Sequence, residues 1–191
     1  KRVFPETKVC GDAVGGRSLG FIKEMGIKAR LEEGAHFRVL GVTFSDGENF
    51  IDIPLPEDEV EAREAGYSLP RIRTDWLLFN RAVEVVCENN GAVIQGFSVK
   101  EILYDAIKGG DDPGPDSGDG RRIIGVSGLR GGRGGDEFSF TAPLTIGAGG
   151  YNCPVARGLV KDTYGETMSV SKHMCGGFRQ YWRNVEGFTT N

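Results

Sequence analysis

Lys8-Val9-Cys10-Gly11-Asp12-Ala13-Val14-Gly15-Gly16-Arg17 puts three glycines, a cysteine, an acid and two cations into ten positions, directly after Phe4-Pro5. Neither a core strand nor an amphipathic helix needs that mixture. Glycines at this density let main-chain N–H groups come close to a ligand, and Lys8 and Arg17 bring positive charge to the same place. A thiol among exposed donors and cations is in the setting where it becomes reactive. The competing reading is a solvent-exposed loop around a buried, inert cysteine.

Working outward, 191 residues are enough to bury a core of one domain or slightly more. With 39% hydrophobic and 26% charged residues the composition is that of an ordinary globular protein. A net charge of −4 argues against a surface given over to nucleic acid. No apolar run is long enough to span a bilayer; scattered cysteines without a disulfide pattern make cytosolic, reduced thiols the expectation, with contact at the membrane periphery left open. Cys10, Cys87, Cys153 and Cys175 contain no C-x-x-C pair. That spacing argues against a zinc site and against a disulfide scaffold. The 30 glycines cluster without a repeat, so they mark loops and close backbone approaches.

The pattern predicts a short helix over residues 19–25 closed by Gly26, then a strand over 35–44. Asp46-Gly47 signals a hairpin whose second strand is 49–55, in a sheet with one covered face. The acidic run 57–64 reads as a solvated loop or helical turn. The clearest helix is 74–89, with Thr74 as N-cap, Trp76, Phe79, Ala82, Val83 and Val86 at helical spacing, and Asn90-Gly91 as its stop. A strand over 92–99 runs on past an irregularity near Lys100. Residues 108–120 are a Gly/Pro/Asp tip with nothing to bury. Strands over 121–129 and 137–145, joined by a second glycine-rich turn, complete an antiparallel meander. Pro154 opens a further helix, 168–174 suggests a strand, and Phe178, Tyr181, Trp182 and Val185 fall at helical or turn spacing, most simply as core.

The chemical motifs are few. Gly147-Ala148-Gly149-Gly150-Tyr151-Asn152 begins like a dinucleotide fingerprint but ends in Asn, and there is no P-loop. His36 and His173 have no partner at metal-ligand spacing, and no metal site is expected.

Three segments, in order, resemble the FAD-dependent geranylgeranyl reductases, a branch of the hydroxybenzoate-hydroxylase-like flavoproteins. Lys8 to Val14 resembles their K-x-C-G-D-A segment. Arg73-Thr74-Asp75-Trp76-Leu77-Leu78 with Asn90-Gly91-Ala92 is similar to their R-x-x-(F/L)-D-x-x-L helix and its G-A exit. Ile146 to Arg157 resembles I-G-A-(D/G)-G-x-x-(C/S)-x-V-A-R, with Gly149 where the wider superfamily carries Asp. The resemblance spans nearly the whole chain.

It implies a mixed α/β fold: part of an FAD/NAD(P)-binding domain (residues 1–30 and 71–165) and part of a substrate domain with an antiparallel sheet (31–70 and 166–191). The phosphate-binding βαβ unit and the G-D-A-A-G flavin segment are expected to lie outside this stretch. The implied reaction is reduction of carbon–carbon double bonds in isoprenoid or lipid chains, with FAD as cofactor and NAD(P)H or another reductant as electron donor. Cys10 would lie at the flavin face, as proton donor or as packing against the isoprenoid. Lys8, Gly11, Asp12 and Ala13 would follow the ribityl and ribose side. Val99 would offer main-chain groups to adenine, and Gly149 and Gly150 would also touch the cofactor. Arg73 would approach the cofactor or form a surface salt bridge. Phe178, Tyr181 and Trp182 are either core or the lining for a long apolar substrate, and Cys153 is read as a small buried packer. The rival readings are a flavin monooxygenase or halogenase on the same fold, and a non-catalytic lipid- or partner-binding module.

Overall fold

The structure is a computed structural model that describes residues 3–62, 64–106, 121–168, 172, 174–184 and 186. It is a mixed α/β protein whose sheets are all antiparallel. The chain divides into two compact units, residues 4–93 with 177–191 and residues 1–3 with 94–176.

In the first unit the glycine-rich stretch feeds strand β1 (Ala13–Gly15) and helix α1 (Arg17–Glu24). Gly26, at φ +70°, ends α1, and the Gly26 N–H donates to the Lys23 carbonyl at 2.9 Å. A left-handed residue here costs glycine nothing, which is why the predicted helix stops where it does. Helix α2 (Lys28–Glu32), strands β2 (Phe37–Arg38), β3 (Gly41–Ser45) and β4 (Phe50–Pro54), and helix α3 (Glu57–Glu61) follow. Strand β5 (Gly66–Ser68) then inserts between β1 and β2. The backbones meet closely where Gly15 faces Gly66: a Cβ on Gly66 would lie 2.7 Å from the Val14 carbonyl oxygen. The core is Val14, Leu19, Ile22, Ile27, Leu31, Tyr67 and Leu69, with Met25, Leu77 and Leu78 packed against it. Leu31 and Tyr67 are completely buried, and Tyr67 donates its hydroxyl hydrogen to the Glu32 carboxylate.

Helix α4 (Arg71–Glu88) starts three residues before the predicted Thr74. Its N-cap is Pro70, and Thr74 is buried one turn inside the helix. Asn90, at φ +58°, closes the far end as the Asn90-Gly91 pair predicts.

Strands β3 and β4 form the expected hairpin, with Val42 opposite Ile53 and Phe44 opposite Ile51. The expected covered face is not there. Val42, Phe44, Phe50, Ile51 and Ile53 are all exposed. A ribbon buries a face only when another layer lies across it, and among the described residues this sheet has two strands and no third. The predicted strand over 35–44 divides into β2 and β3 where its partner changes: Val39 N–H still donates to the Gly66 carbonyl beyond β2–β5 at 3.0 Å, whereas the Leu40 carbonyl accepts the Leu55 N–H at 2.9 Å on the side of β4.

The second unit is the predicted meander: β6 (Phe97–Ala106), β7 (Arg121–Arg130) and β8 (Glu137–Thr141), in that spatial order. The irregularity near Lys100 is a register shift between Val99 and Glu101. Residues 92–96, expected as strand, come before β6 begins. Helix α5 (Pro154–Tyr164) starts at its proline and packs on β6, where Gly158 meets the Ile102 side chain and Tyr104 donates to Asp162 Oδ2 at 2.7 Å. The expected tip at 108–120, most of the expected strand at 168–174, His173 and Val185 lie outside the described residues. No helix among the described residues is long and apolar enough to cross a membrane.

Candidate functional site

The cysteine loop and the first turns of α4 share one cavity of about 420 Å³ in the first unit. Val14, Phe21, Ile22, Met25 and Leu78 give it an apolar floor. Cys10, Arg71, Thr74 and Asp75 give it a polar edge. Cys10 is exposed, so it is not the buried cysteine of the competing reading. Gly11 also lines the cavity, and a Cβ built on it meets no atom within 4 Å, so the main chain there borders open space.

The polar edge is organised by α4. Arg71 and Asp75 lie one turn apart, and the guanidinium donates to Asp75 from Nε at 3.1 Å and from Nη2 at 2.9 and 3.1 Å. Lys8 Nζ approaches the same carboxylate at 3.3 Å, while its charge lies 5.5 Å from the Phe4 ring centroid. The Asp75 hydrogen bonds push the Arg71 guanidinium above its ordinary range, burial opposes them, and the adjacent Cys10 adds to the rise. Thr74 is 5% exposed, and its Oγ1 has no hydrogen-bond partner among the described residues. A buried hydroxyl without a partner is costly, and such atoms often mark the place of a missing ligand or water.

Asp12 lies behind the loop. It accepts the Arg71 main-chain N–H at 2.8 Å and the Arg179 guanidinium at 3.0 Å on Oδ1, and the Tyr181 hydroxyl at 2.7 Å on Oδ2. Burial alone would raise its carboxyl, but the Tyr181 and Arg71 hydrogen bonds and the charges of Arg179 and Arg71 outweigh it, and the net shift is downward.

The structure therefore brings together Lys8, Cys10, Gly11, Asp12 and Ala13, and joins Tyr181 to them through Asp12. Arg73 lines no part of this cavity. Its guanidinium donates to the main-chain carbonyls of Leu31 at 2.8 Å, Arg30 at 3.3 Å, and Ala35, so it closes the end of α2. Phe178, Tyr181 and Trp182 are 86%, 61% and 72% exposed, which corrects the expectation that they form core. The residues 177–182 take no helical turn that would fold those rings inward.

Val99, Gly149 and Gly150 belong to the second unit. Val99 pairs with Gly128 beside the bulge in β6. Gly149 and Gly150, the latter at φ +71°, lead into α5, and Cys153 just before the helix is buried as expected. Burial raises the Cys153 thiol, but the N–H groups of Ala156, Gly149 and Val155 outweigh that and lower it.

Arg71 and Arg179 were not expected at the site, and Thr74 was expected only as an N-cap. The Arg71/Asp75 spacing of four on a helix was a readable signal; Arg179, 167 positions from Asp12, offered none. Among the described residues no group of His, Cys, Asp and Glu is arranged to hold a metal ion. The arrangement suits a ligand with an apolar body and a polar edge that can meet a hydroxyl, a thiol and main-chain N–H groups. Comparison with known proteins finds no matching family model, no matching curated protein and no matching solved structure.

Proposed function

We propose that this chain belongs to an FAD-dependent oxidoreductase of the geranylgeranyl reductase kind, acting on carbon–carbon double bonds of isoprenoid chains. The observation that carries the reading is the exposed Cys10 thiol at the edge of an apolar cavity whose buried Thr74 hydroxyl has no partner. The motif around Cys10 supports the same reading.

The residues present fit a flavin. Open space over Gly11 leaves room for a ring or chain against the main chain, and Thr74 Oγ1 is in need of a partner. Gly11, Ala13, Lys8 and Thr74 would hold the cofactor in this unit. Flavin bound here and reduced by NAD(P)H or another two-electron donor would supply a hydride, and with it both electrons, to one carbon of the double bond. The other carbon then takes a proton, which Cys10 Sγ holds at the cavity edge and regains from solvent. Arg71 stands beside the thiol and is itself fixed by Asp75, so the proton donor is oriented by a rigid helix. Val14, Phe21, Ile22, Met25 and Leu78 offer an apolar surface that would favour an apolar substrate.

The test is the visible absorption spectrum of the purified protein supplied with FAD, followed by anaerobic turnover of a geranylgeranyl lipid with NAD(P)H or dithionite. Bound flavin and a saturated product support the proposal. Oxygen uptake coupled to a hydroxylated product points to a monooxygenase. Lipid binding without flavin retention points to a binding module.

A further inference from the structure

Residues 179–181 reach back to the cysteine loop with side chains whose partners are specific. The two hydrogens of Arg179 Nη1 are shared between the Cys10 carbonyl and Asp12 Oδ1, each at 3.0 Å. Tyr181 donates to the other carboxylate oxygen at 2.7 Å, and the Arg179 guanidinium lies 4.7 Å from the centroid of the Tyr181 ring. The Arg179 and Asp12 side chains keep only 16% and 19% of their exposure. Charge-assisted hydrogen bonds gain strength and geometric definition when water is largely withdrawn.

The same loop is held from the opposite end of the hydrogen-bond network by Leu69, just before α4, and by Arg71, the first residue of α4. The Asp12 carbonyl accepts the Leu69 N–H at 2.7 Å, and Asp12 Oδ1 accepts the Arg71 N–H at 2.8 Å. Residues 10–12 are thus fixed between the start of a long helix and two side chains from a distant segment.

We propose that Arg179 and Tyr181 are positioning residues, a latch that holds the Cys10-Gly11-Asp12 loop against α4 and keeps the thiol facing the cavity. The inference rests on the reading of Cys10 as the working group of that cavity. It gives Tyr181 a different task from lining an apolar substrate: its hydroxyl is engaged by Asp12. Arg179 acts through two acceptors on adjacent parts of the loop, a task a lysine ammonium can reproduce in part.

The experiment uses amide hydrogen exchange and cysteine alkylation on the chain without flavin or substrate. Tyr181→Phe and Arg179→Ala are expected to speed exchange of the Leu69 and Arg71 amides about fivefold or more, with the Leu31 amide in the core unchanged. Iodoacetamide labelling of Cys10, referred to Cys87 in the same sample by peptide mass spectrometry, is expected to rise roughly threefold in Arg179→Ala as the loop opens. Arg179→Lys keeps the charge but not the planar fork or its stacking on Tyr181, and is expected to fall between Arg179→Ala and the parent in both readings. Unaltered exchange at Leu69 and Arg71, equal acceleration at Leu31, or Cys10 labelling no faster in Arg179→Ala than in the parent would each overturn the latch. None of these readings involves flavin, so a failed latch is separable from a failed cofactor assignment, which the absorption spectrum decides.

Discussion

Asp12 accepts the main-chain N–H of Arg71 at 2.8 Å, so an acid in the glycine-rich loop caps a helix that begins 59 positions later. The first N–H groups of a helix have no partner within it, and a carboxylate there is favoured by both hydrogen bonding and the helix dipole. Asp12→Ala removes this cap and leaves Arg179 and Tyr181 without their acceptor. The expected loss is about 2 kcal/mol, combining a cap with a partly exposed ion pair. Urea unfolding followed by circular dichroism measures it, and an unchanged midpoint would show that the loop and helix are not coupled.

The same carboxyl sets a dependence on acid. Its folded value lies below the ordinary 3.8 because Tyr181, Arg71 and Arg179 together outweigh burial. The unfolded chain therefore binds the proton more readily. The contribution is fully present above about pH 4 and disappears as pH falls through the folded value. Asp12→Asn is expected to flatten the slope of stability against pH between about pH 4 and pH 2. An identical slope in the two proteins would assign the acid sensitivity to other groups.

What the chain reveals by inspection is what its local chemistry decides. The Asp46-Gly47 turn, the Gly26 and Asn90 helix stops and the meander through β6, β7 and β8 depend on residues close in sequence, and all were legible. The start of α4 was not, because Thr74 looks like a cap while the real arrangement uses Pro70 and an acid from another segment. The exposure of Phe44, Phe50 and Ile51 was hidden for a similar reason: alternation shows that a strand has two faces, not that anything lies across one. At the candidate site, Cys10 and Gly11 were conspicuous by composition. Arg179 was not, since its significance comes only from contact with Cys10 and Asp12.

Asp46 tests the hairpin independently. Its carboxylate accepts the Asn49 side-chain amide at 2.9 Å and the N–H groups of Asn49 and Glu48 at 2.7 and 3.0 Å. The Asn49 side chain is the leading cause, and together these bonds hold the Asp46 carboxyl down at about 2. The turn is therefore expected to persist at pH 3 and to loosen only when the carboxyl takes up its proton below that. A side-chain NMR titration of Asp46 checks this, with Asn49→Ala expected to move the midpoint up toward 3.8. A midpoint already near the ordinary value in the parent chain would mean the turn is open in solution.

Thr74 separates stability from binding. Its Oγ1 is buried without a partner, so Thr74→Val replaces an unsatisfied hydroxyl by a methyl group of similar size. The unliganded chain is expected to be unchanged or more stable by about 1 kcal/mol. If the hydroxyl serves a ligand in the cavity, the same variant weakens flavin binding by roughly five- to tenfold. Thermal unfolding and a fluorescence titration with FAD read the two effects. A clear destabilisation without flavin would show that the hydroxyl already has a partner in the unliganded chain.

Cys10 carries the chemical claim. Its thiol is exposed at the cavity edge beside Arg71 and contributes nothing to the hydrophobic core, so Cys10→Ala is expected to leave folding intact. On the proposed reading it donates a proton in the transition state, and its removal is then expected to lower turnover on the order of a hundredfold. Flavin affinity is expected to change by less than about threefold, because the alanine methyl group leaves the Gly11 main chain and the apolar floor in place. Cys10→Ser keeps a proton-bearing group of similar shape and is expected to recover part of the rate. Turnover equal to the parent in Cys10→Ala would remove the donor role and leave the cysteine as a wall of the cavity. A parallel loss of flavin affinity and turnover would make it a binding residue instead.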